Sequence, residues 1–173
     1  MWRTALTIVA VAGLAAAAAA GEGTMTMTVR SPAFEDGETI PAKYTADGAD
    51  VSPPLEIRGV PEGTRSLALI VDDPDAPMGT WVHWVAWNLP PDTAEIPEDG
   101  LPPGAVEGSN SWRRRGYGGP APPSGTHRYF FKVYALDTTL DLPPSADKAA
   151  LLRAMEGHVL AEAVTMGRYS RRR

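Results

Sequence analysis

Asp72-Asp73-Pro74-Asp75-Ala76-Pro77 is followed almost at once by Trp81-Val82-His83-Trp84, so three carboxylates, two prolines and an imidazole come directly after an apolar run. A carboxylate and an imidazole placed this close are costly to bury unless they bind something or each other. The chain has three histidines, and His127 stands in a similar setting, behind a Gly/Pro-rich loop and two residues before Tyr129. The pattern predicts that these two stretches meet to form one polar pocket.

Three chemistries compete for such a set. Two His and two Asp have the donor types for a divalent cation, but metal histidines usually come as close pairs on one strand or helix. Here each histidine is alone among aromatic neighbours, so no metal is expected. A hydrolytic site needs an activated Ser, Thr or Cys beside the imidazole. There is no Cys and no Gly-x-Ser-x-Gly elbow, and Ser124 and Thr126 are marked only by lying near His127. The third chemistry is anion binding. His83 and His127 can donate N–H groups, Tyr129 a hydroxyl, and the Gly118-Gly119 backbone its amides. Asp73 and Asp75 would then orient the imidazoles and raise their pKa, provided they are tied up in hydrogen bonds and do not repel the ligand. The residues favour binding over catalysis. His158, beside Gly157, reads as structural, and so do Trp84 and Trp87; Trp81 lies nearest the loop.

Short strands must position these groups. Leu67-Ala68-Leu69-Ile70-Val71 is wholly apolar, reads as a central strand and delivers Asp72 and Asp73 to its end. Trp81 to Leu89 is a second strand, on which alternation places Trp81, His83, Val85 and Trp87 on one face. His127 to Leu136 is a third, with His127, Tyr129, Phe131 and Val133 on one face and Arg128 on the other. Met25 to Val29, Ile40 to Tyr44 (an edge, given Pro41) and Leu55 to Ile57 are further strand candidates. Residues 90 to 125 hold little periodicity and read as a long site-building loop. A C-terminal helix is predicted from Lys148 to about Thr165, with Ser145 as N-cap and a division at Gly157.

With 173 residues, the chain suits one domain with a substantial core. Its 17 glycines and 17 prolines fall mostly between apolar runs, which favours a mainly β, β-rich α+β fold of many turns over a helical bundle. Residues 1 to 20 have a short positive start at Arg3, an Ala-rich apolar stretch and a small-residue end at Ala20-Gly21, the pattern of a cleaved secretory signal peptide. The domain would then span residues 21 to 173 of a periplasmic or secreted protein. The whole chain carries a net charge of −5, and loss of Arg3 makes the remainder more acidic still, so nucleic acid is not an expected partner. The absence of Cys leaves stability to the core alone.

Several motifs together resemble the phosphatidylethanolamine-binding protein family, and most closely its bacterial, Raf-kinase-inhibitor-like branch. They are Asp73-Pro74-Asp75-Ala76-Pro77 with Trp81-Val82-His83-Trp84, Gly116-Tyr117-Gly118-Gly119-Pro120, and Gly125-Thr126-His127-Arg128-Tyr129. Asp47 to Pro54, Gly59 to Thr64 and Gly157 to Ala163 extend the resemblance over nearly all of the chain after the leader. It implies antiparallel sheets with few short helices and a small anion pocket at one end. Asp73, Asp75, His83, Pro120, His127 and Tyr129 would line that pocket, with Trp81 and Gly119 in its wall. Arg128 would form a structural ion pair.

Family members bind phosphate-like groups, including phospholipid head groups, and some inhibit kinases or serine proteases. With the leader, the resemblance implies an exported ligand-binding protein without a cofactor; regulation or inhibition of other proteins is a further role of the family, of which kinase inhibition does not carry over to an exported chain. Two alternatives are a hydrolase using the same Asp and His residues and an inhibitor acting through surface loops. A homodimer is compatible with the sequence. The short Pro77–Trp81 stretch follows the bacterial branch. The C-terminal segment that helps close the pocket in animal members ends here in Gly167-Arg168-Tyr169 and a basic tail.

Overall fold

A computed structural model describes residues 26–171. The expected leader, its cleavage point and the last two arginines lie outside these residues. The strands are β1 (Thr28–Arg30), β2 (Leu55–Arg58), β3 (Ser66–Asp73), β4 (Trp81–Leu89), β5 (Glu95–Ile96), β6 (Val106–Glu107), β7 (His127–Leu136) and β8 (Val159–Tyr169), with one α-helix, α1 (Lys148–Met155). They form two antiparallel sheets, a three-stranded one in the order β1-β2-β5 and a five-stranded one in the order β6-β4-β3-β7-β8. The fold is therefore mainly β.

β3 is buried along its whole length, which is why its middle, Leu67 to Val71, is an unbroken apolar run with no polar alternation. Leu67, Leu69 and Val71 face the three-stranded sheet and pack with Val29, Leu55 and Ile57. Ala68 and Ile70 face the other way and pack with Val85, Trp87 and, from α1, Leu151 and Met155. Asp72 continues that second face. It is 1% exposed and accepts hydrogen bonds from Lys132 on β7 and Lys148 at the start of α1.

The C-terminal region differs from the helix predicted up to Thr165. The helix stops at Met155, Gly157 turns the chain at φ +78°, and Val159 to Tyr169 is the longest strand. Val159, Leu160, Ala163 and Val164 satisfy helical spacing by accident. The strand's own alternation is Ala163, Thr165, Gly167 and Tyr169, each buried, with Thr165 and Gly167 against the residue 34–40 turn. The N-cap is Asp147, not Ser145; its carboxylate accepts from the Ala150 amide at 2.9 Å. Ile40 to Tyr44 is not a strand. Pro41 leads instead into a short 3₁₀ turn at Ala42–Tyr44, while Ile40 donates its amide to Arg168 on β8.

Candidate functional site

β3 ends where β4 and β7 begin, so the antiparallel pairing brings Asp73, Trp81 and His127 to one end of the five-stranded sheet. Val71 pairs with Trp84, yet Asp72 pairs with Val82, so His83 is the extra residue of a β-bulge. The bulge breaks the alternation predicted for β4. Trp81 and His83 line a cavity at the sheet end, whereas Val85 and Trp87 lie in the core beneath α1. The cavity encloses about 390 Å³.

Its polar groups are Asp73, His83, His127 and Tyr129, all nearly fully buried. Both oxygens of Asp73 are engaged by its neighbours. One carboxylate oxygen accepts from the Asp75 amide at 2.8 Å and the other from His127 Nδ1 at 2.7 Å. The His127 ring is thus fixed with Nε2 left for a ligand. His83 Nδ1 lies 2.5 Å from the Gly118 carbonyl, an acceptor only, so this nitrogen carries the proton and donates. Burial holds the His83 pKa below its ordinary 6.5, and the Gly118 bond opposes this only in part. His83 is therefore neutral in the free protein near pH 7, with a lone pair on Nε2. The Tyr129 hydroxyl is buried; the Ala121 amide, a donor, approaches its oxygen outside good hydrogen-bond geometry, and among the described residues its own hydrogen has no acceptor. Burial, and then the Asp73 carboxylate, push its pKa well above the usual phenol value.

Asp75 is turned away from this floor. Arg128 binds both of its oxygens, at 2.9 and 2.7 Å, and adds its own amide at 3.0 Å. The guanidinium lowers the Asp75 pKa to about 2, so Asp75 is ionised at any physiological pH. Gly119 and Pro120 stand behind the wall, and Ala121, Pro122 and Pro123 form its surface. The Gly118 and Gly119 amides, expected as ligand donors, are already engaged: Gly118 donates to the His83 carbonyl and Gly119 to Asp50 at 2.7 Å. A Cβ at Gly119 would lie 2.7 Å from Asp50 and from the Thr45 Cα, so only glycine fits. Pro120 holds the loop by accepting from the Ala46 amide.

Sequence reasoning missed Trp112, Met78 and Asp50. Trp112 packs edge-on against both Trp81 and His83, with ring centroids 5.4 and 5.1 Å away. It stands directly before Arg113-Arg114-Arg115, a run that suits a solvated loop, and in the sequence only the turn-forming Asn110 points to an ordered one. Ser124 and Thr126 are exposed and do not line the cavity, nor does any other Ser, Thr or Cys. His158 pairs with Asp137 at the opposite end of β7.

These features define a two-sheet β domain with a small cavity, polar at its floor, at the end of its larger sheet. The family model described as phosphatidylethanolamine-binding protein matches residues 30–170. A protein of Methanothermobacter thermautotrophicus described as a UPF0098 protein is 54% identical over 148 residues, 83% of this chain and 98% of that one. The crystal structure of a phosphatidylethanolamine-binding protein homologue from Chlamydia trachomatis is 41% identical, with a TM-score of 0.82, covering 86% of this chain and 99% of that one. Escherichia coli YbcL, described as a member of the mammalian family, is 33% identical with a TM-score of 0.80, covering 84% and 99%. The chain belongs to the phosphatidylethanolamine-binding protein family.

Proposed function

We propose that this protein binds a small oxyanion, phosphate-like or carboxylate, on the floor made by His83, His127 and Tyr129. The observation that carries this reading is the Tyr129 hydroxyl, buried with no acceptor for its hydrogen, beside two imidazoles whose Nδ1 atoms are already engaged. A buried hydroxyl without a partner costs about 1–3 kcal/mol, which a ligand oxygen would offset. Asp73 opposes an anion less than a free carboxylate would, because both its oxygens accept bonds from the protein. A hydrolytic reading has no comparable support, since the cavity offers no hydroxyl or thiol nucleophile other than the tyrosine.

Tyr129→Phe tests this directly, because its two effects have opposite signs. The ligand-free variant is expected to melt no lower than wild type, having lost only an unsatisfied hydroxyl. Its thermal shift in phosphate, which at 100 times Kd corresponds to about 2.7 kcal/mol in wild type, should shrink sharply. A wild type that no millimolar oxyanion stabilises would end the reading.

The pH dependence follows from His83. Its folded pKa is depressed, so ligand-free stability declines as pH drops from 6.5, the unfolded value, through the lower folded one. An anion that pairs with the imidazolium opposes that loss. Sulfate, which brings no proton of its own, should therefore stabilise wild type increasingly below pH 6.5. Tyr129→Phe serves as the control for its general salting effect.

We also propose that the protein is exported, on the leader pattern of residues 1–20. Expressed in a bacterium with its own leader, it should be found outside the cytoplasm with a mature N-terminus near Gly21. Intact-mass analysis showing the leader retained on cytoplasmic protein would overturn this.

A further inference from the structure

The polar side chains occupy only the floor of the cavity. Toward the mouth the lining turns apolar, through Ala76, Pro77, Met78, Trp81, Trp112 and Pro122. Four rings run in edge-to-face succession along one wall. Tyr129 meets His83 with centroids 5.1 Å apart and planes at 85°, and His83 meets Trp112 at 5.1 Å and 79°. Trp112 in turn meets Trp81 at 5.4 Å and 80°.

Trp112 is held at the mouth by design of its loop. Asn110, 4% exposed, uses its whole side chain there: its oxygen accepts from the Trp112 and Arg114 amides at 3.0 and 3.3 Å, and its amide donates to the Gly116 carbonyl at 2.9 Å. The loop is also stitched to β4, Ser111 donating to the Val82 carbonyl and accepting the Val82 amide on its hydroxyl. A well-built loop thus keeps an indole 39% exposed, opposite Met78 at 94%. The enclosed volume, about 390 Å³, is far more than a lone oxyanion fills. It falls within the range of about 300–1,000 Å³ typical of sites for whole organic molecules.

We propose that Trp81 and Trp112 form a second, apolar subsite that takes a flat aromatic substituent. The ligand is then an aryl-bearing oxyanion, of the aryl phosphomonoester or aryl carboxylate class, with its charged end on the floor and its ring against the two indoles. This rests on the anion reading above. A ring entering here continues the edge-to-face series, the geometry that the aromatic quadrupole favours. A saturated chain gains only area.

Calorimetric titration of the mature protein with inorganic phosphate, n-butyl phosphate and phenyl phosphate separates the possibilities. Phenyl phosphate should bind roughly tenfold or more tighter than inorganic phosphate, with n-butyl phosphate between them. Trp112→Ala should bring the Kd of phenyl phosphate close to that of inorganic phosphate, collapsing their ratio whatever loss of the contact with His83 does to both, and Trp112→Phe should restore much of the difference. Binding of inorganic phosphate with no preference for the phenyl ester, or equal binding of the butyl and phenyl esters, overturns the aromatic subsite and leaves the anion site standing. Failure of all three ligands overturns the anion reading and this inference with it. The comparison on wild type decides the matter even if Trp112→Ala does not fold.

Discussion

Replacing Lys132 and Lys148 together by methionine is expected to destabilise the fold by about 3–5 kcal/mol, the range for stranding one member of a buried ion pair. The target is Asp72, whose side chain is 2% exposed, while the two lysines retain 26% and 24%. Lys132 belongs to β7 and Lys148 opens α1, so this carboxylate joins three elements at the end of β3 that carries the site. Each single substitution leaves the other ammonium in place and should cost much less than half of the double loss. Such non-additivity is the signature of a shared partner. Asp72→Leu should be milder than the double variant, because the freed lysines can reach water along their own stems. The triple variant, with all three charges gone, should recover most of the loss. Chemical denaturation of these variants checks the order, and additive lysine effects would show that the cluster is not one unit.

The same physics explains which parts of the fold were legible in the sequence. β3 and β4 stand out because strands covered on both faces are apolar almost throughout, and the structure covers them with the second sheet and α1, whereas β7 stands out by alternation, with Tyr129, Phe131 and Val133 buried and Arg128, Phe130, Lys132 and Tyr134 more open. β8 was misread because its information is in small residues. Gly167 lies against Ile40 and Phe34, where a Cβ would come within 2.4 Å of the former, so the inner face of the strand could not carry the large apolar side chains that mark a period of two. The large residues it does carry, Val159, Leu160 and Val164, are on the surface, each more than two-fifths exposed, and they fall at helical intervals.

The floor of the site was legible for a related reason. Asp73, His83, His127 and Tyr129 are polar groups in otherwise apolar strands, and burial of such groups demands a partner. His83 was placed with Trp81 by an alternation that the bulge then broke, so the pairing holds while Val85 and Trp87 go to the other core. The assignment of hydrogen bonds was not legible. Whether Asp75 faces the cavity or Arg128, and whether the Gly118 and Gly119 amides are free or engaged, depends on contacts between residues 35 to 69 positions apart. Composition and spacing carry no trace of those contacts. Asp50 illustrates this: a residue in an exposed-looking turn supports the loop that orients His83.

His127→Ala is expected to weaken oxyanion binding roughly 10- to 100-fold, the equivalent of one charge-assisted hydrogen bond. The loss has two parts that can be separated. One is Nε2 itself, which meets a ligand oxygen across a shared proton because the Nδ1 hydrogen is committed to Asp73. The other is Asp73, whose Oδ2 loses its partner while Oδ1 keeps the Asp75 amide at 2.8 Å. The floor then presents a bare carboxylate to the incoming anion, and that repulsion is strong in a site closed to water. Adding Asp73→Asn to His127→Ala should therefore recover part of the affinity, although it removes a second site residue. In the wild-type background Asp73→Asn should weaken binding, because an amide orients the imidazole less firmly than the carboxylate that accepts from Nδ1 at 2.7 Å. This reversal of sign between the two backgrounds, read from phosphate Kd values in a double-mutant cycle, cannot arise if His127 only packs the wall. If Asp73→Asn has the same effect in both, the Asp73–His127 pair is structural, and the anion must be held by His83 and Tyr129 alone.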